Sequence, residues 1–433
     1  MSTPGYDAGR AVLGPIFARF ARDLRLHAGA AGPEDDVALL FCARGGLRMR
    51  LAYEAACASL GMGTGGRTAD LMVSRLQAAK VGLPHAAEAV DEFVRECAGR
   101  DLRDAARLVL DPEQAHLAED PSLVGAPVTA DGMARLFGRS DALGVALLAR
   151  SLEQRIAFHR HLVEASDDRG RLVLVDTGLF GGTMRILERT FPAHVWSCAL
   201  FGRANYRRTH APHFARTTGL VFEADRPNPR RPVTALLRHW HLVEGLFEPE
   251  LPSATSMSLD PDGRPRSDLE IPGWRAKVEA RGMPLFDGMI DYLRALTAAD
   301  VADVDRAAER AERQLARMIL HPSRRDVEAL DVGARSMDFG RAGASLVIRP
   351  LEGGPVGRIW LVRHALWREG QIRRAVPLAG CALLAFGAGR RLVERAPRLL
   401  AVAQRVGRKL SKARFEGTGT GTSVGIVNPE ASH

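Results

Sequence analysis

Apolar positions at Val12, Ile16, Phe17, Phe20 and Leu24 recur three or four residues apart, which predicts a helix over 8–27. A Gly/Pro turn leads into VALLFCA at 37–43, a continuously apolar run that reads as a strand buried on both faces of a parallel sheet. Arg44, Gly45 and Gly46 punctuate it, and 47–60 is helical in pattern. A second short strand is predicted at 70–75, after a glycine-rich turn at 61–66, and residues 76–163 read as mainly helical. RLVLVD at 171–176 is a third buried strand, followed by a glycine-rich turn and a helix over 183–189; VWSCALF at 195–201 is a fourth. Strands alternating with helices predict an α/β fold, a doubly wound and mostly parallel sheet, with a helical insertion at about 76–163 in a core spanning 1–225. Beyond 225 the pattern predicts a helix at 233–247, a hairpin around the DPDG turn at 260–263, and helices at 285–297 and 299–319. Residues 226–375 thus complete the same module as its helical C-terminal part. A basic amphipathic tail occupies 376–416, and 417–433 is of low complexity and expected to be disordered. There is no internal repeat.

Charge changes this picture only at the tail. Of a net +9 over 433 residues, residues 358–416 hold +11, from fourteen basic and three acidic side chains, which leaves −2 for the rest. A near-neutral body is not the footprint of a nucleic-acid-binding core, and no nucleic acid is expected as partner. From Arg390 onward Leu392, Val393, Ala396, Leu399, Leu400, Ala403, Val406 and Leu410 recur at helical spacing between cations. Residues 390–415 therefore either lie on an anionic membrane surface or pack on the protein's own body. The N-terminus has no apolar core of signal-peptide length, no run approaches the roughly 20 apolar residues of a spanning helix, and five scattered cysteines without CxxC fit a reducing compartment. The expected location is cytoplasmic, with the tail as a peripheral anchor at the inner face of the membrane.

Candidate chemistry gathers at loops leaving strand carboxyl ends, where open α/β sheets hold ligands. The first is Arg44-Gly45-Gly46: glycines allow close backbone approach, a following helix N-terminus offers N–H groups to an anion, and Arg44 adds a charged fork. The alternative is a tight turn with a surface arginine. The second, DTGLFGGT at 176–183, ends a buried strand in a carboxylate, adds Gly178, Gly181 and Gly182, and opens a helix at Thr183. It suits a phosphate on the N–H groups, with Asp176 as the catalytic carboxylate meeting a sugar hydroxyl, a proton or a Mg ion; Thr183 is a candidate N-cap. Ser74 and Arg75, at the end of the second strand, are further anion contacts. His159 and His161, like His239 and His241, are two apart in helical segments and do not face one side, while His210 and His213 lack a third ligand; no metal site is expected of them. Glu244 is a candidate pocket acid on a helix.

The second loop resembles the phosphoribosyl-diphosphate loop of phosphoribosyltransferases, with Val175 in place of one of two acids and Phe180 in place of the first threonine. A broader resemblance covers 37–375. FCARGGLRMRLAYE at 41–54, VSR at 73–75, VDTGLFGG at 175–182, HPSRRDVEA at 321–329 and LWREG at 366–370 resemble segments of a bacterial domain described as a predicted haloacid-dehalogenase-superfamily hydrolase and found beside glycosyltransferases of surface polysaccharides. The chain departs from it at Gly45, where the domain has an aspartate, and lacks the superfamily's aspartyl nucleophile with a second aspartate two residues on: position 178 is glycine, and Asp260 with Asp262 sits in turn chemistry. The resemblance implies a context in surface-polysaccharide assembly more than a reaction; together with the two loops it leads to the expectation of a phosphorylated-sugar or nucleotide-sugar ligand, handled by a phosphate-ester hydrolase or a glycosyl- or phosphoribosyl-type transferase. The other reading is a catalytically inactive scaffold that docks a glycosyltransferase at the membrane.

Overall fold

The structure, a computed structural model, describes residues 2–224, 232–280, 282–336, 344–351, 361–376, 381–383 and 385–389. Residues up to Pro377 form one compact unit and Leu378–His433 a second. The first unit contains the five-stranded sheet and the helices that follow it in the chain. The tail at 390–415 and the segment 417–433 lie outside the described residues. Among the described residues no helix is long and apolar enough to cross a membrane.

Five parallel strands make the sheet: β1 (Val37–Cys42), β2 (Arg67–Leu71), β3 (Arg171–Leu179), β4 (Val195–Arg203) and β5 (Thr217–Glu223). Their spatial order is β2-β1-β3-β4-β5. Alternation of side chains sorts each central strand between two cores. Val37, Leu39, Phe41, Val173 and Val175 face one core, shared with α1 (Gly14–Ala31), α2 (Gly45–Ser59) and later helices. Ala38, Leu40, Leu172, Leu174 and Cys198 face the other. There they meet α3 (Arg75–Gly82), α4 (Ala87–Glu96), α5 (Ala142–Ser166) and α6 (Gly182–Thr190). With helices on both faces, the doubly wound α/β fold is as expected.

The edges differ from the sequence pattern. β2 is shifted to Arg67–Leu71, so its visible polar residues are strand and the apolar 72–73 lie past its end. Asp70, inside it, is clamped by Arg50 at 2.7 and 2.9 Å, which makes an edge strand of a polar segment. β5 has an apolar run of only Leu220, Val221 and Phe222 and carries Gly219; as an edge strand it buries little and reads as loop. The DPDG turn closes an antiparallel hairpin, Met257–Leu259 with Pro265–Ser267, and the Asp260 carboxylate accepts the Asp262 and Arg264 N–H groups. That settles Asp260 as a turn residue.

From β1 the chain passes through α2 to β2 on one side, then returns across α3–α5 to β3 on the other. The loops leaving β1 and β3 therefore diverge and open a crevice at the carboxyl ends of neighbouring strands. α5 braces this edge: the Nε2 atom of His161 accepts the Met72 N–H at 2.9 Å, and burial pushes its imidazole down to about 4. The unfolded imidazole protonates near 6.5, so stability is fully present above that pH and is lost as pH falls from 6.5 towards 4, by about 3 kcal/mol. His161→Gln keeps an acceptor without the titration. Urea midpoints at pH 7 and pH 4.5 should differ less in this variant than in the native chain; an equal acid loss in both would exclude His161 as its source.

Candidate functional site

A cavity of about 560 Å³ occupies the crevice. Arg44, Gly45, Ser74, Arg75, Asp176, Gly178, Gly181, Gly182 and Thr183 all line it. Residues singled out in three separate stretches of sequence are thus brought to one place by the strand order. Gly46 is not among the lining residues. A Cβ there would stand 2.8 Å from the Phe41 carbonyl carbon, so its role is to seat α2 on β1.

β3 does not end at Asp176 but runs to Leu179, with Asp176 opposite Leu200 of β4. The Asp176 Oδ1 atom accepts the Thr177 N–H at 2.7 Å and the Thr177 hydroxyl at 3.3 Å. Burial, and then the Asp176 charge, raise the thiols of Cys42 and Cys198 well above their ordinary range, so both remain protonated and unreactive. The peptide bonds Ala43–Arg44 and Gly178–Leu179 are both cis.

The turn into α6 is two residues long, and Gly181 rather than Thr183 is the N-cap, at φ +68° and without a side-chain cap. Thr183 is the second helical residue. The first turn of α6, formed by Gly182, Thr183 and Met184, lines the cavity. Beside it the Arg207 guanidinium lies 4.2 Å over the Phe180 ring and bonds Glu92 at 3.0 and 3.2 Å. Burial would raise the Glu92 carboxyl, but Arg207, Arg95 and Arg75 outweigh it and hold the group below its ordinary range. His213 donates from Nε2 to the Phe180 carbonyl at 2.7 Å, and burial lowers its pKa, so it anchors the loop as a neutral ring.

The two arginines read as anion forks are engaged. Arg44 bonds Glu248 at 3.1 Å and the Leu251 carbonyl at 3.3 Å. Arg75, the first residue of α3 rather than the end of a strand, meets Glu96 at 3.2 Å and Glu92 at 3.9 Å. Ser74 is the N-cap of α3: it accepts the Gln77 N–H at 3.1 Å and donates to the Ala254 carbonyl. Across the cavity, α7 (Trp240–Gly245) contributes His241 and Glu244 to the lining. His241 Nε2 is 3.0 Å from the Leu366 carbonyl, and the His239 and His241 rings are 6.5 Å apart, closer than their spacing suggested. The lining as a whole carries Arg44, Arg75, Arg207 and Arg238 against Glu96, Asp176, Glu244 and Glu248. Such a balanced wall suits a ligand with an anionic end for the cations and hydroxyls for the carboxylates.

Among the described residues no group of three or more His, Cys, Asp and Glu side chains is disposed to hold a metal ion. His159 stacks on Phe191, and His210 is exposed while His213 is buried. Sequence reasoning missed Tyr206, Arg207, Glu96, Glu248 and His241. The strand-end rule applied to β4 would have found the first two, which follow it after Ala204 and Asn205; the others carry no local signal. No protein-family model matches the chain, and no curated protein matches it.

Proposed function

We propose that the chain binds, and turns over, a phosphorylated sugar or nucleotide-sugar-like ligand in the switch-point cavity. One observation carries this: the uncapped first turn of α6, entered through left-handed Gly181, lies on the cavity wall. Unsatisfied N–H groups and the helix dipole make such a turn a seat for phosphate. Arg207 stands beside that seat, and Asp176 lies on the strand that leads to it, a carboxylate for a sugar hydroxyl or for proton transfer. A volume of about 560 Å³ falls in the range of small-molecule sites. Hydrolysis of a phosphate ester or transfer of a glycosyl or phosphoribosyl group are the reactions this set serves, with Glu244 and His241 as further proton carriers. A place in bacterial surface-polysaccharide synthesis rests on the motif resemblance alone; a cytoplasmic location at the inner face of the membrane rests on the scattered cysteines and the basic tail at 390–415.

Thermal melts with nucleotide sugars, sugar phosphates and phosphoribosyl diphosphate test the reading. One class should raise the melting temperature, since a ligand at 100 times its Kd adds about 2.7 kcal/mol. Asp176→Asn should melt like the native chain without ligand and lose the ligand-induced shift and any turnover. No shift with any of the three classes would refute the reading, and an equal shift in the variant would remove Asp176 from the site. Gly45 in place of an acid favours the second reading, a catalytically inactive scaffold docking a glycosyltransferase; a Cβ at 45 would stand 3.0 Å from Thr177 Cγ2, so the loop is packed without one. Binding with no turnover of the bound ligand selects that reading.

A further inference from the structure

α5 is the longest helix of the described residues, and only one of its sides is used by the core, through Leu147, Phe158 and Leu162. On its solvent side Val145, Leu148, Leu152 and Ile156 are 60, 41, 57 and 44% exposed. With Ala149, His159 (whose ring also stacks on Phe191) and half-buried Val163 the row falls at 145, 149, 152, 156, 159 and 163, in alternating steps of four and three, with Leu148 at its edge. That is the spacing of a coiled-coil seam, about 27 Å long at 1.5 Å per residue. Apolar side chains gathered into one exposed row mark an interaction surface, whereas single ones do not. None of these residues lines the cavity, so the surface is separate from the proposed ligand site.

We propose that this face pairs with the same face of a second copy of the chain, α5 against α5, antiparallel about a two-fold axis. The heptad spacing selects a helix as partner, because knobs from such a row enter holes on another helix. The flanking charges select this helix and this direction. Glu153 and Arg160 lie on one flank of the seam, one heptad apart, and Arg155, half-buried and donating to the Val81 carbonyl at 3.2 Å, lies on the other. In an antiparallel pair like flanks face each other, so Glu153 of each copy meets Arg160 of the other, twice by symmetry. In a parallel pair opposite flanks meet, and Arg160 would face Arg155. Glu153 is exposed and bonds Arg150 at 3.2 Å, and Arg160 is exposed and donates to the Gly263 carbonyl at 2.8 Å, so both charges are held at the surface of the flank. A seam between single helices belongs to the small end of interfaces, where association is weak, so an affinity in the micromolar range is expected.

Sedimentation and light scattering of the full chain from about 1 to 100 μM, the window set by that affinity, test the proposal. The native chain should pass from monomer to dimer. Leu152→Asp, at an exposed position, should keep the native melting temperature and remain monomeric throughout. Glu153→Arg should weaken the dimer at least tenfold, and adding Arg160→Glu to it should restore the native affinity. A native chain that stays monomeric at every concentration overturns the proposal, whether the face is bare or covered by the chain's own C-terminal segment. A dimer that survives Leu152→Asp overturns the surface, and failure of the charge-swapped double variant to recover overturns the antiparallel pairing.

Discussion

Gly178→Ala should cost about 3–5 kcal/mol of stability, an effect large enough to abolish the folded chain under mild heating. Position 178 has φ +142°, where a Cβ is strained, and the added carbon would stand 2.3 Å from the Gly202 carbonyl oxygen and 3.1 Å from Trp240 Cζ2. The oxygen belongs to β4, paired with β3 in register at this point, so neither backbone can yield without breaking the ladder. Gly182→Ala is the control. The atoms nearest its Cβ would be Arg207 Nη2 at 3.6 Å and the Glu92 carboxylate at 3.8 and 3.9 Å, ordinary contacts, and Gly182 is already helical. It should leave the urea midpoint within about 0.5 kcal/mol of native while reducing ligand-induced stabilisation, because the methyl stands at the mouth of the α6 turn. Equal destabilisation by both substitutions would show that the loop is uniformly packed and would remove the basis for a phosphate seat there.

Glu92→Gln should be the most damaging charge change. The Glu92 carboxylate is 5% exposed and its partner Arg207 is 9% exposed, with Arg95 also on it and Arg75 at 3.9 Å. Removing one member of a buried pair leaves the other charge uncompensated, at a cost of about 3–5 kcal/mol. The native chain has a pH signature to match. Because Glu92 is held below its ordinary range, its contribution is fully present above the unfolded carboxyl value and is lost as pH falls through the lower folded value. Denaturant midpoints from pH 7 down to 3 should therefore fall more in the native chain than in Glu92→Gln. The same substitution leaves Arg207, beside the α6 turn, without its internal anion, so inorganic phosphate should stabilise the variant more than the native chain. A variant as stable as native at pH 7, with no gain from phosphate, would contradict the role assigned to Glu92.

The sequence by itself determined the layering of this protein. The unbroken apolar runs of β1, β3 and β4 require cover on both faces, and helical periodicity between them supplies that cover, so a doubly wound sheet follows from local spacing. It also marked Arg44, Ser74, Arg75 and the 176–183 loop, because glycines and polar side chains after a buried strand stand out against their neighbours. It set β2 at 70–75 rather than at Arg67–Leu71 and did not reveal β5; both are edge strands whose burial is partial and whose patterns are correspondingly weak. Nor did it show where Gly46 and Gly178 are needed for packing, since a glycine that admits a ligand and one that admits a neighbouring strand look the same in one dimension. Tertiary structure alone decided the electrostatics of the cavity. Arg44 is neutralised by Glu248 across 204 residues, Arg207 by Glu92 across 115, and α7 reaches the cavity from beyond the sheet. Hydrophobic periodicity is a local property set by 2.0 and 3.6 residues per repeat, and it survives in the sequence. Ion pairing depends on which distant segments the strand order brings together, and that information exists only once the chain has folded.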